Sequence, residues 1–369
     1  MTNPSSNLRE FGNTNLKMPS VMFGTAALGN LFVAMRDDAK ANMVRQWFAS
    51  VPKPVAIDTE GMYGAGLALE VIGRELEAMG IGPEDVILSN QLGWRRTPAT
   101  GPESSSGSNG GTSFDKGTGF DKGIWIDIEH NAVQDISYEG ILRCYEDGCE
   151  ILGNYKPQLV SVLDPDRYLD SAEGSDHRKR LLCDIEGAYR ALGELRDAGE
   201  VAAIGVSAKN WSVIKELAGR CPMDWGMLRS SLTVLSHPPD LVDFIESLAS
   251  RNIPLINSGV THGGFLVGGG HFDFQKISSR IPEDVMRLDW RENFEGLCEQ
   301  YAQTPFNVCV AFGCSHPAVT SLALSTSNPN RVASLVEAAT SEVPQELWQA
   351  LVDMRMIRAD YGERFLLGS

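Results

Sequence analysis

The sequence predicts an α/β fold: a closed barrel of eight parallel strands, each followed by a helix, with an N-terminal β-hairpin and a C-terminal helix added. Two observations predict the barrel. From residue 20 onward, short β-branched or apolar runs alternate with amphipathic stretches of helical length, the pattern of a parallel sheet covered by helices. Eight such units can be counted, and eight strand-then-helix repeats close on themselves. The 369 residues, 43% of them hydrophobic, suffice for the single large core of such a barrel, so the whole of 1–369 reads as one domain.

The first element is a small hairpin before residue 20, in which Gly12-Asn13 turns between Leu8–Phe11 and Leu16, placed to plug the bottom of the barrel. Strands are expected at 21–24, 55–58, 86–89, 159–163, 202–206, 225–228, 254–257 and 319–324. Helices are expected at 38–50, 66–79, 138–152, 184–198, 210–219, 238–250, 289–302 and 329–339, each with apolar residues at 3.6-residue spacing. Ser137 marks one helix start, where its hydroxyl can accept from the first free amides. Asp184 precedes another, which Arg196 and Gly199 end with a last-turn cation and a stop. The stretch 343–362 reads as one amphipathic helix packed on the barrel.

Two segments break the rhythm. Residues 97–123, rich in Gly and Ser, bury too little surface to offset the entropy of ordering and form a flexible insertion after the third strand. Residues 261–288 open T-H-G-G-F-L-V-G-G-G after the seventh strand. In a barrel both hang over the carboxyl ends of the strands, where active sites lie.

Composition excludes several partners. A net charge of −16 disfavours nucleic acid and anionic membrane, which need a basic face. The seven cysteines are scattered, with no C-x-x-C and no paired histidines, which suits buried thiols in a reducing compartment such as the cytoplasm and argues against a metal site. No run approaches ~18 uninterrupted apolar residues, and the N-terminus lacks a signal peptide's basic start. No G-x-G-x-x-G follows a strand, which removes the doubly wound dinucleotide fingerprint. What stands out is the run V-A-I-D-T-E-G-M-Y-G. It places Asp58 and Tyr63 five residues apart, just past the carboxyl end of a buried strand, where a parallel α/β enzyme sets its chemistry.

Further landmarks are F-G-T-A-A-L-G-N at 23–30, D-T-E-G-M-Y-G-A-G at 58–66, S-Y-E-G-I-L-R-C-Y-E-D-G-C-E-I-L-G at 137–153, L-D-P-D at 163–166, A-L-G-E-L-R-D-A-G-E-V-A-A-I-G-V-S at 191–207 and S-H-P-A-V at 315–319. In this order and spacing the chain resembles the aldo-keto reductase superfamily, and within it the branch of D-threo-aldose 1-dehydrogenases, also called L-fucose dehydrogenases. The resemblance spans about residues 8–350. It implies a (β/α)8 TIM barrel, a nicotinamide cofactor, NAD or NADP, lying extended across the barrel mouth, and a small carbonyl or sugar substrate.

The resemblance also implies a catalytic group of aspartate, tyrosine, lysine and histidine. Asp58 and Tyr63 carry over. The family's S-T-K-x-G is S-N-Q-L-G here, so Gln91 holds the lysine's place, and H-D-P-D is L-D-P-D, so Leu163 holds the histidine's. By the same resemblance Ser207 and Asn210 face the carboxamide of the cofactor, and Gly263, Gly264, Phe265 and Leu266 wrap its pyrophosphate. Ser325, Ser327 and Arg331 meet its adenosine end, where free amides at a helix start favour phosphate. The arginine that grips a 2′-phosphate is Ser327 here, which favours NAD over NADP. The aromatic that stacks on the nicotinamide is Leu232. Leu163, Trp94 and Trp125 are expected to wall the substrate pocket.

Elementary acid–base chemistry sets what the two departures mean. A phenol titrates near ~10, and a nearby ammonium lowers it. Gln91 is neutral, so Tyr63 stays protonated at neutral pH, a proton donor but a poor base. Reduction of a carbonyl needs a donor and oxidation of an alcohol needs a base, so the expected chemistry is biased towards reduction and slow, since acid–base participation is worth ~10²–10⁴-fold. Asp58 without its lysine is a buried lone carboxylate, costly to ionise. Glu60, Lys209 and His262 are candidates to replace the missing groups. Three functions are compatible with these residues. The first is an NAD(P)-dependent oxidoreductase acting on a sugar or small aldehyde, with Tyr63 as donor and Asp58 and Gln91 as its hydrogen-bonding shell. The second is a catalytically inactive barrel kept as a binding or regulatory protein. The third is an isomerisation or elimination run from Asp58.

Overall fold

The computed structural model describes residues 8–98, 120 and 122–368. Eight parallel strands close a barrel in chain order: β1 Val21–Gly24, β2 Val55–Glu60, β3 Val86–Leu92, β4 Leu159–Leu163, β5 Ala203–Ala208, β6 Trp225–Arg229, β7 Leu255–Ser258 and β8 Val319–Leu324. β8 pairs back to β1, so no sheet edge is left open. Each expected strand is found. Those that differ run on at their carboxyl ends into residues of low strand propensity, such as Glu60 and Gln91, which the barrel ladder pairs with each other.

The period of two along each strand sorts side chains between the barrel interior and the helix layer. The lower interior is apolar: Met22, Ala56, Ile87, Leu159, Ala203, Trp225, Met227 and Ile256 form one cluster. Phe11 and Met18 complete it from below, brought there by the antiparallel pair Arg9–Glu10 and Lys17–Met18, and the expected plug is therefore present. Two and four residues further along the same strands the inward positions turn polar, with Asp58 and Glu60 on β2, Ser89 and Gln91 on β3, Ser161 on β4, Ser207 on β5 and Arg229 on β6. An apolar floor under a polar mouth sets where chemistry can occur.

The outer layer holds α1 Asp37–Ser50, α2 Leu67–Ala78, α3 Tyr138–Leu152, α4 Ser175–Asp197, α5 Trp211–Ala218, α6 Pro239–Ser250, α7 Pro305–Cys314 and α8 Val332–Ala338. Ser137 caps α3 as expected, accepting from the amide of Gly140 at 3.0 Å. Four expectations need correction. α4 starts at Ser175 rather than after Asp184, because its first two turns are polar and carry no apolar period. The helix expected at 289–302 spans Pro282–Gln300 and lies outside the barrel layer, while α7, apolar on nearly all sides, packs on β7 and β8. All-round apolarity hides the period that sequence reading looks for.

The third correction concerns the C-terminal stretch 343–362, which is two helices, Gln345–Asp353 and Ala359–Phe365. Arg355 turns the chain through a left-handed conformation (φ 58°), which lets Tyr361 stack on Phe312 at 4.9 Å. Fourth, the insertion placed at 97–123 opens as a strand, Trp94–Pro98, paired antiparallel with His130–Gln134. Arg95 and Arg96 anchor that hairpin to Asp147 on α3 and Glu70 on α2. Residues 99–119 and 121 of the insertion lie outside the described residues. Cys183 is exposed, and Cys149 and Cys314 half-buried, so the expectation of buried thiols holds for the remaining four. Among the described residues no helix is long and apolar enough to cross a membrane.

Phe11 is fully buried against Trp225, with ring centroids 6.2 Å apart. Phe11→Ala should lower the unfolding free energy by about 3–5 kcal/mol, read from urea denaturation, because the plug leaves a cavity under the barrel.

Candidate active site

β2 brings Asp58 to the inner wall at the level where the interior turns polar. Its carboxylate is bracketed by Ser89 Oγ, which donates to Oδ1 at 2.8 Å, and Gln91 Nε2, which donates to Oδ2 at 2.7 Å. Burial raises the Asp58 carboxyl to about 6, against the pull of these two donors and of Arg229. Gln91 thus serves Asp58 rather than Tyr63, which corrects its expected place in the tyrosine's hydrogen-bonding shell. Its amide nitrogen also lies 3.6 Å from Met227 Sδ, across the barrel interior.

Tyr63 follows in the turn after β2. The turn is tight: Tyr63 N donates to Glu60 O, and Gly64 and Gly66 take positive φ. Gly29 from the loop after β1 packs so closely that a Cβ there would sit 2.6 Å from the Tyr63 carbonyl carbon. Only glycine permits this approach, which holds the Tyr63 backbone from above. The ring is half-buried in an apolar cluster with Trp94, Trp125 and Leu163, and its centroid lies 5.6 Å from that of Trp125. The three residues expected to wall the pocket are therefore together in one cluster with the tyrosine. Trp125 arrives by a bridge to Leu31, flanked by Phe32 N donating to Ile124 O and Ile126 N donating to Asn30 O.

A second ring of charge lies at the same level. Arg229 Nη1 donates to Asp164 Oδ1 at 2.6 Å, joining the end of β6 to a residue held in a left-handed conformation just past β4. Glu60 is fully buried, and neither carboxylate oxygen has a hydrogen-bond partner. Burial raises its carboxyl to about 8; Arg229 opposes the rise, and Asp164 and Asp58 add to it. Burial also raises the Tyr63 phenol well above its ordinary value, with Glu60 adding and Arg229 opposing. Tyr63 is thus a protonated phenol at neutral pH, and Arg229 is a cation acting on it.

The other candidate replacements are tied up elsewhere. His262 Nε2 meets Thr233 Oγ1 at 2.9 Å and Nδ1 meets Asp273 Oδ1 at 3.1 Å, while Lys209 Nζ lies 2.7 Å from Asp273 Oδ2. Although burial works against its charge, the Asp273 carboxyl is held down to about 2 by His262 and Lys209. This knot pins the loop after β7 to the loops after β5 and β6.

Among the expected cofactor residues, Ser207 lies on the inner wall with its hydroxyl buried and without a partner. Asn210 caps α5, its Oδ1 accepting from Ser212 N and Oγ. Gly263 and Gly264 make a left-handed turn, and Gly264 N donates to Thr261 Oγ1. The amides of Phe265 and Leu266 are likewise bonded within the loop, and both side chains point into the core, which leaves little of this segment free to wrap a pyrophosphate. Ser325, Ser327 and Arg331 are exposed around the short turn before α8, and Leu232 is fully buried. Sequence reasoning missed Ser89, Asp164 and Arg229. Two of these carried a signal: Ser89 alternates with Gln91 along β3, and one more residue of β6 would have exposed Arg229 as an inward position.

An eight-stranded parallel barrel with a phenol, a bracketed carboxylate and a guanidinium at its carboxyl mouth is a (β/α)8 barrel with an enzyme-like site. The chain belongs to the Aldo/keto reductase family, which its residues 20–355 match. It is 25% identical over 362 residues to a pyridoxal 4-dehydrogenase of Microbacterium luteolum, covering 94% of this chain and 97% of that protein. It is 23% identical over 349 residues to a D-threo-aldose 1-dehydrogenase of Pseudomonas sp., covering 93% and 95%. The holo form of an aldo-keto reductase from Bacillus halodurans has the same fold, with a TM-score of 0.65, 17% identity and coverage of 95% and 96%.

The buried carboxyls set a pH dependence of stability. Glu60 titrates at 4.5 when unperturbed and at about 8 in the fold. The folded chain holds the proton more tightly, so the stabilisation is full below 4.5 and is lost as pH rises towards 8, by up to about 1.4 kcal/mol per pH unit. Glu60→Gln should remove this slope, so that its urea midpoint gains on the wild type between about pH 5 and about pH 8.

Proposed function

We propose that this protein is an NAD(P)-dependent oxidoreductase that reduces a small aldehyde or sugar carbonyl, with Tyr63 as the proton donor. The observation that carries the reading is the protonated Tyr63 phenol set at the barrel mouth beside the bracketed Asp58 and the Arg229 cation. A bound nicotinamide cofactor supplies the hydride. The unpartnered Ser207 hydroxyl fits such a group, because a buried polar atom without a partner is costly unless a ligand satisfies it. Ser207 and Asn210 would hold the carboxamide, Gly263 and Gly264 would lie along the pyrophosphate, and Ser325, Ser327 and Arg331 would meet the adenosine end. With Ser327 in place of a phosphate-gripping arginine, NAD is favoured over NADP.

Tyr63 gives its proton to the carbonyl oxygen as the carbon is reduced, and Arg229 stabilises the negative charge developing there, the work of the family's histidine. Asp58, Ser89 and Gln91 hold the wall beneath. Leu163, Trp94 and Trp125 exclude water and offer a flat apolar face, which suits an aromatic aldehyde better than a sugar. Pyridoxal and D-threo-aldoses, the substrates in the relatives' names, are therefore the first to assay, in that order. Without a strong base near Tyr63, reduction outpaces oxidation. One observation favours a non-catalytic binding protein instead: Trp125 already packs on the Tyr63 ring.

Titration with NADH and NADPH, followed by nicotinamide fluorescence, separates these readings. Binding is expected, tighter for NADH; no response to either cofactor would leave the binding-protein reading. With binding established, the double variant Gln91→Lys, Leu163→His should raise aldehyde reduction at least ~10²-fold, and Tyr63→Phe should abolish it.

A further inference from the structure

We propose that Glu60 is the proton partner of Tyr63: a buried carboxylic acid on β2 that returns a proton to the tyrosine after each reduction, positioned opposite Arg229. The proposal rests on the oxidoreductase reading and adds a residue to it.

Three observations converge on Glu60. It follows Asp58 by two positions, so the strand period turns it inward at the mouth, in register with Gln91. It is fully buried with neither oxygen bonded, whereas the other buried carboxylates among the described residues, Asp58, Glu75, Asp166 and Asp284, each accept at least one hydrogen bond. An unbonded buried carboxyl is costly, so it does not serve stability. Finally, β6 stands opposite β2 in the ring of eight strands, and Arg229 acts on Glu60 from across the mouth.

The charged and titratable groups around Glu60 are Asp58 on its own strand, Tyr63 in the following turn, Asp164 after β4 and Arg229 on β6. Two carboxylates and one guanidinium leave the cluster short of positive charge, which favours a protonated Glu60. With its carboxyl raised to about 8, the acid is neutral at physiological pH yet close to release. Gln91 cannot exchange a proton, and Lys209 and His262 are bound to Asp273.

The proton path balances. A bound reduced nicotinamide would supply the hydride, with its two electrons, to the carbonyl carbon, and Tyr63 would give its proton to the carbonyl oxygen. The Tyr63 O–H bond breaks as the alcohol O–H forms. Once product leaves and water enters the mouth, a proton passes from Glu60 to the tyrosine oxygen and Glu60 regains one from that water, so both residues end as they began.

The experiment compares wild type and Glu60→Gln by the pH profile of pyridoxal reduction with NADH and by pH-difference infrared spectroscopy. In wild type, kcat should fall above about pH 8, the titration of a buried acid, and a protonated carboxyl band should disappear over the same range. In Glu60→Gln, kcat should drop ~10²-fold and lose that limb, with KM values within about twofold, since the relay acts through Tyr63 and not on binding. A folded Glu60→Gln with the wild-type rate and profile would overturn the proposal. So would a wild type without the infrared band, a reading that needs no turnover and no variant. Failure of NADH and NADPH to bind overturns the oxidoreductase reading and the relay together, whereas cofactor binding with an unaltered Glu60→Gln profile overturns the relay alone.

Discussion

Three carboxyl groups and one guanidinium share the mouth of a barrel whose floor is sealed by Phe11, Met18 and Trp225, and the difficulty of keeping charge away from water governs what each can do. Asp58 solves it with two hydrogen bonds, Asp164 with the guanidinium of Arg229, and Glu60 by holding its proton. The protonated state of Tyr63 follows from the same burial. Gln91 and Leu163 are uncharged, and the cation of the mouth is Arg229 on β6, which acts on both Glu60 and Tyr63.

The loops above the mouth are arranged so that this burial persists. Trp125 is clipped to the loop after β1, and Phe32 from that loop stacks on His271 at 4.6 Å. The loop after β7 is tied by His262 and Asp273 to Thr233 and Lys209, and Arg291 reaches in from the outer helix to the carbonyls of Phe265 and Gly269. Each tie costs conformational entropy at a place where loops are usually free. What is gained is an apolar cluster held against the Tyr63 ring.

Much of this architecture is legible in the amino-acid sequence. The alternation of strand and helix marks all eight barrel strands, and the spacing of Asp58 and Tyr63 marks the site. Reading fails where the period is masked: α7 is apolar all round, the first turns of α4 are polar all round, and the polar ends of β2 and β3 resemble loop. Arg229 escapes notice for a different reason. A single arginine after an apolar run looks like a solvated strand end, and its partner Asp164 lies 65 residues away.

The sequence by itself determined the barrel, the plug beneath it, the carboxylate and phenol of the candidate site, and the presence of Gln91 and Leu163 at the ends of β3 and β4, because these depend on local periodicity and on residue identity. Only the tertiary structure decided that Gln91 bonds to Asp58, that Lys209 and His262 are knotted to Asp273, and that Glu60 and Arg229 come from strands opposite one another in the ring. Those relations depend on which strands closure brings opposite one another and on how little water reaches them, and neither is written in the neighbourhood of any one residue.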